Sequence, residues 1–132
     1  MLCVRRILGQ GMNKRKTGTY HEQMAAKYLI KKGYRILEQN YRSRFGELDI
    51  VAWDRGTLVI VEVKYRRGSI CGTPAESVDW RKQRKICHVT MDFIMRHRLY
   101  YNKPCRFDVI EVYGAGEICH IEAAFDFSCA AY

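Results

Sequence analysis

This chain has only two prolines, no CxxC cysteine pair and no apolar run near the roughly 18 residues needed to cross a membrane. Each absence removes a class of explanation. Without the long run, no membrane-spanning segment is expected. The six cysteines (Cys3, Cys71, Cys87, Cys105, Cys119 and Cys129) are scattered and make no Cys/His cluster, which argues against a zinc knuckle and a disulfide framework. Reduced thiols in a cytoplasmic protein are the expectation. His21-Glu22 is not the start of a metalloprotease helix, because position 25 is Ala rather than the second His of HExxH. There is no phosphate-binding P-loop and no Gly-x-Ser-x-Gly nucleophile elbow, and Gly114-Ala115-Gly116 reads as a turn.

Acidic residues are also in deficit. Against 23 Lys and Arg stand 14 Asp and Glu, for a formal net charge of +9. Such a balance favours a polyanionic partner, with nucleic acid the commonest. The basic residues cluster in Lys14-Arg15-Lys16, Arg42-Ser43-Arg44, Lys64-Tyr65-Arg66-Arg67 and Arg81-Lys82-Gln83-Arg84-Lys85. Arg42, Arg44, Arg66, Arg67, Lys82 and Lys85 are the expected phosphate contacts, with a plain solvated face as the alternative for the two lysines.

A chain of 132 residues makes one domain with a sizeable core. Residues 1–15 read as a short basic extension and 16–132 as the domain. Met1 to Leu8 lacks the apolar core and cleavage site of a signal peptide, and Met12 is as good a start as Met1. The helical period over Thr19 to Lys32 predicts a helix stopped by Gly33. Tyr34 to Tyr41 reads as a strand, and a hairpin follows around Asp54-Arg55-Gly56-Thr57. Residues 66–74 read as a loop, and Ala75 to Arg98 as a long helix with Val78, Ile86, Val89, Phe93 and Ile94 inward. Arg106 to Tyr113 and Ile118 to Glu122 alternate as two last strands. The order α-β-β-β-α-β-β predicts an α/β fold, a mixed five-stranded sheet flanked by helices.

The chemistry concentrates in the hairpin. Leu58 to Val63 is apolar apart from Glu62, so that strand reads as buried on both faces, where a carboxylate is costly unless paired or bound to a cation. Asp49 lies in the partner strand, where antiparallel pairing can set it beside Glu62. Lys64 shares Glu62's face. Two carboxylates and an ammonium suit Mg²⁺ or Mn²⁺ and a phosphoryl group; the alternative is a cross-strand salt bridge. Glu22 falls on the same helical stripe as Ala25, Ala26 and Leu29, facing the sheet, and also fits a capping box with Thr19. Glu47 shares Asp49's face, as an extra ligand or as an arginine's partner.

These residues resemble the PD-(D/E)xK nuclease superfamily, which places an acid on one strand and E-x-K on the next. More closely, the chain is similar to the YraN-like family of predicted endonucleases through Gly18, Glu22 and Ala25, Gly46-Glu47-Leu48-Asp49, Val61-Glu62-Val63-Lys64, Pro74-Ala75-Glu76, Lys82 with Lys85, Arg106-Phe107-Asp108 and Ala124-Phe125-Asp126. His21 departs from the glycine frequent before the glutamate in such sequences. The resemblance implies a restriction-endonuclease-like three-layer core, with catalytic roles on Glu22, Asp49, Glu62 and Lys64. It also implies metal binding by Asp49, Glu62 and Glu22. The expected activity is Mg²⁺- or Mn²⁺-dependent hydrolysis of DNA phosphodiesters by metal-activated water, with branched or repair intermediates as candidate substrates. A homodimer would suit cleavage of both strands. The alternatives are a non-catalytic nucleic-acid-binding module of the same fold, and a structural protein whose acids pair with arginines.

Overall fold

A computed structural model describes residues 16–67 and 78–127. Helix α1 (Lys16–Lys31) leads into strands β1 (Arg35–Ser43), β2 (Gly46–Asp54) and β3 (Thr57–Arg66). Helix α2 (Trp80–Arg96) and a 3₁₀ turn (Arg98–Tyr100) precede β4 (Cys105–Tyr113) and β5 (Ile118–Phe125). The sheet order is β1-β2-β3-β4-β5. Only β3 and β4 run parallel, and α2 lies in the crossover that such a pair requires. This is the mixed five-stranded sheet in the order α-β-β-β-α-β-β that the sequence implied, consistent with a restriction-endonuclease-like core.

Each helix covers one face. Ala25, Ala26 and Leu29 of α1 pack with Ile50, Ala52, Val59, Val61, Ile110 and Val112. Ile86, Cys87, Val89 and Phe93 of α2 pack with Leu48, Val51, Leu58, Ile60, Phe107 and Val109. Alternate residues of β3 thus enter two different cores, which explains why that strand is apolar throughout. The β2–β3 connection is a two-residue turn with Arg55 at φ 50° and Gly56 at φ 88°. Positive φ at both central residues matches the right-handed twist of the flanking strands.

Several boundaries differ from expectation. Helix α1 begins at Lys16, so Thr19 lies inside it rather than at its start. Gly33, at φ 99°, ends it as expected. Helix α2 begins at Trp80 because Asp79, in extended backbone, caps it by accepting from Lys82 N–H at 3.0 Å; residues 75–77 lie outside the described residues. Cys87 and Cys105 are thiols, but Cys119 is disulfide-bonded, against the expectation of reduced thiols throughout. Scattered spacing in sequence does not report proximity in a fold. Among the described residues, no helix is long and apolar enough to cross a membrane.

Candidate functional site

The acids meet where β2 and β3 part. Their ladder ends at Ile50↔Val61, so Asp49 and Glu62 would be the next pair. In place of a ladder bond, Asp49 Oδ2 accepts the Val63 N–H at 2.9 Å. A local twist lies behind this. Leu48 packs on the α2 side and Ile50 on the α1 side, although residues two apart on a strand normally share a face. Asn40, in line with Asp49 in the β1–β2 register, carries φ 54°. The irregular backbone turns Asp49 toward the end of β3.

Glu62 is 8% exposed and ion-paired with Lys82 of α2, Oε2 to Nζ at 3.1 Å. Burial pushes Asp49 up to about 8, and the neighbouring Glu62 charge adds to the rise; the Val63 N–H only partly offsets them. Glu22 acts in the same upward direction, which places its charge within reach of the pair. Burial by itself would lower Lys82, but Glu62 outweighs it, with help from Asp49 and Glu47, and raises its pKa. With Asp49 ionised, the site would hold more negative charge than Lys82 neutralises.

Lys64, one alternate position beyond Glu62, is half-buried on the same face and bears on the Asp79 cap of α2. Arg66 continues that face. Among the described residues no three of His, Cys, Asp and Glu converge closely enough to hold a metal ion. Glu22 thus influences Asp49 without completing a three-acid cage. Mg²⁺ is commonly held by only one or two carboxylates, together with waters and phosphates. The adjacent Asp49 and Glu62, with Asp49 driven toward protonation by burial and by the Glu62 charge, fit that requirement.

The other expected residues divide. Glu47 pairs with Arg42 at 3.4 Å, which makes it an arginine's partner. Lys82, expected at a phosphate, is exposed but pairs with Glu62, and Arg44, Arg67 and Lys85 are exposed as well. Arg66 Nε donates to Glu111 Oε2 at 3.2 Å, and Tyr113 O–H donates to Glu111 Oε1 at 2.9 Å. Glu111, buried beside Lys64 in the β3–β4 register, was missed from sequence. Its signal was present: an acid among Val109, Ile110 and Val112 poses the same problem as Glu62. Glu111→Gln is expected to lower stability by ~1–2 kcal/mol, read in urea unfolding, because Arg66 loses a charge-assisted hydrogen bond. An unchanged midpoint would show that the pair contributes nothing.

A second polar cluster lies on the α1 side. Asp108 accepts from Arg106 Nε and Nη2 at 2.9 and 3.0 Å and from Ala123 N–H at 3.1 Å. His120 Nε2 lies 2.7 Å from its Oδ2, and Tyr28 O–H 3.2 Å from His120 Nδ1. Arg106 Nη2 also reaches Tyr34 O–H at 2.7 Å. Burial would raise Asp108, but the hydrogen bonds from His120, Arg106 and Ala123 N–H outweigh it and hold the carboxyl below its usual range.

The two aspartates give stability opposite pH dependences. Asp49 binds its proton more tightly folded than unfolded, so its contribution is full below about pH 4 and is lost as pH rises toward 8. Asp108 has a lowered pKa, so its contribution is present above its ordinary value of 3.8 and is lost only in more acid solution. In EDTA, the urea midpoint is expected to fall between pH 5 and pH 8, and Asp49→Asn to flatten that slope. A rising midpoint in the wild type would contradict it.

The chain is 47% identical over 115 residues to a UPF0102 protein of Lachnoclostridium phytofermentans, covering 87% of this chain and 97% of that protein. It is 48% identical over 109 residues to a UPF0102 protein of Persephonella marina, covering 83% and 92%. A UPF0102 protein of Clostridioides difficile is 44% identical over 115 residues, with 86% and 100% covered. Among solved structures, Pyrococcus furiosus SfsA in complex with Ca²⁺ matches 79% of this chain and 61% of its own at 13% identity, with a TM-score of 0.29 that carries no argument. The uncharacterised protein family UPF0102 matches residues 21–112, and the chain belongs to it, the YraN-like family that its motifs resemble.

Proposed function

We propose that this protein is a Mg²⁺- or Mn²⁺-dependent nuclease that hydrolyses phosphodiester bonds in DNA. The observation that carries the reading is the pairing of half-buried Asp49 with buried Glu62 at the splayed end of β2 and β3, with Lys82 ion-paired to Glu62 and Lys64 on the same strand face. A sheet that needed only stability would not set two carboxylates together there, because mutual repulsion and burial both oppose them. Asp49 and Glu62 are the residues to hold the ion, with Glu22 acting through its charge from α1.

When bound, the ion would polarise a phosphoryl oxygen and acidify a water at that position. The chain's own contribution is placement. Lys64 projects from the face that carries Glu62 and offers its ammonium to the phosphoryl oxygens as charge builds on them. Lys82 is held by Glu62, and a cation arriving there would release its ammonium toward the same phosphate. Arg66, steadied by Glu111, continues the positive face along β3.

The test is incubation of the purified chain with linear, single-stranded and branched DNA, with Mg²⁺ and with Mn²⁺. Cleavage that stops in EDTA supports the reading; inactivity on all three with both metals sinks it.

A further inference from the structure

Helix α2 has a second exposed surface whose chemistry differs from that of the acid pair. Trp80, its first residue, is 57% exposed. Two guanidinium carbons, those of Arg81 and Arg84, lie 5.5 Å from the indole centroid. Trp80, Arg81, Arg84, Lys85 and His88 line one shallow groove. Their spacing explains this, since positions 80, 84 and 88 stack one turn above another, as do 81 and 85. Trp80 and His88 are about 12 Å apart along the helix axis. Exposed Phe45 of the β1–β2 turn extends the row, 5.7 Å from the His88 ring and edge-on to it, with Arg44 over its face at 5.1 Å.

We propose that this row is a stacking site for unpaired nucleotide bases, so that the substrate is single-stranded nucleic acid or DNA with a single-stranded segment. The inference rests on the nucleic-acid reading of the acid pair and names the substrate class for it. An exposed indole with guanidiniums over its ring offers a base flat groups to stack on, aromatic and cationic, and gives the adjoining phosphates a positive surface. A continuous duplex has no use for the ring, because its bases already stack on one another and it presents only phosphates to such a surface. A protein partner would need acids to meet the Arg81 and Lys85 charges, whereas a nucleic-acid backbone supplies anions at every step. Position also fits. Lys85 of the groove stands three residues from Lys82 and so beside it on the helix, and Lys82 contacts Glu62, so the edge of the groove borders the acids.

The experiment is equilibrium binding in EDTA, where nothing is cut, to a fluorescein-labelled oligothymidylate and to a labelled blunt hairpin of the same nucleotide count. Loss of one base stack is expected to weaken oligothymidylate binding by Trp80→Ala about 5- to 150-fold, and hairpin binding by less than about twofold. Trp80→Phe should recover most of the loss, since a smaller aromatic face still stacks. Matched thermal unfolding of the variants separates binding from folding. Equal loss on both probes, no loss on either, or no oligothymidylate binding by the wild type would overturn the proposal. Absent cleavage with single-strand binding intact would overturn only the nuclease reading.

Discussion

Glu62→Gln is expected to lower metal-dependent cleavage of DNA by about 10²–10³-fold, the scale seen when one charge-stabilising group is removed from an active site. The substitution keeps the volume of the side chain, and the amide oxygen can still accept from Lys82, so the core around it is undisturbed. What goes is the negative charge. Asp49, raised chiefly by burial, then loses the Glu62 charge that adds to that rise, and its carboxyl should titrate closer to its ordinary range. Stability should therefore rise at pH 8 while activity falls, the pattern of an acid retained for chemistry rather than for folding. Calorimetric titration with Mn²⁺ should show the same division, with heat of binding in the wild type and weaker binding in the variant. Full cleavage by Glu62→Gln would point to a contaminating nuclease, and loss of activity together with loss of stability would make Glu62 a structural residue.

How much of this was legible in the sequence depends on distance along the chain. The hairpin was readable because its turn is two residues long, which fixes the β2–β3 register and sets Asp49 beside Glu62 without tertiary information. The continuous apolar run of β3 announced a strand covered on both faces, and helices on both sides follow. The helix starts were less legible. Asp79 makes a good cap, yet the helical period extends back through it, and local capping decided the boundary. The rotation at Asn40 and Asp49 left no trace in the pattern, because no residue type requires it. Lys82 illustrates a limit of another kind. Its helical position allows both solvent and the sheet, and only the placement of α2 over β3 turns its ammonium to Glu62. Glu111 and Asp108 were each visible as an acid in an apolar strand, but their partners outside β4 come from β3 and β5.

Asp108→Ala is expected to cost about 3–5 kcal/mol, the usual result of removing one member of a buried charge pair. The Asp108 side chain is fully buried, and Arg106 beside it is about one quarter exposed. Alanine would leave the Arg106 guanidinium, His120 Nε2 and the Ala123 N–H without the oxygens that now accept from them. Arg106 keeps the Tyr34 hydroxyl and, at 3.7 Å, the Asp54 carboxylate, so the uncompensated cost falls mainly on His120 Nε2 and the Ala123 N–H. The cluster also joins distant parts of the chain, linking β4 to β5 through His120 and Ala123 and to the α1 side through Tyr28 and Tyr34. Its loss should loosen the β5 edge first. Asp108→Asn keeps the volume and one acceptor, and should lose less. In denaturant melts the alanine variant should shift far more than Glu111→Gln, whose partner Arg66 is more exposed. A loss below about 1 kcal/mol would mean that water already satisfies the cluster. Because these groups lie on the α1 face and Glu62 on the α2 face, the folded fraction of Asp108→Ala should retain its cleavage, with the opposite outcome for Glu62→Gln.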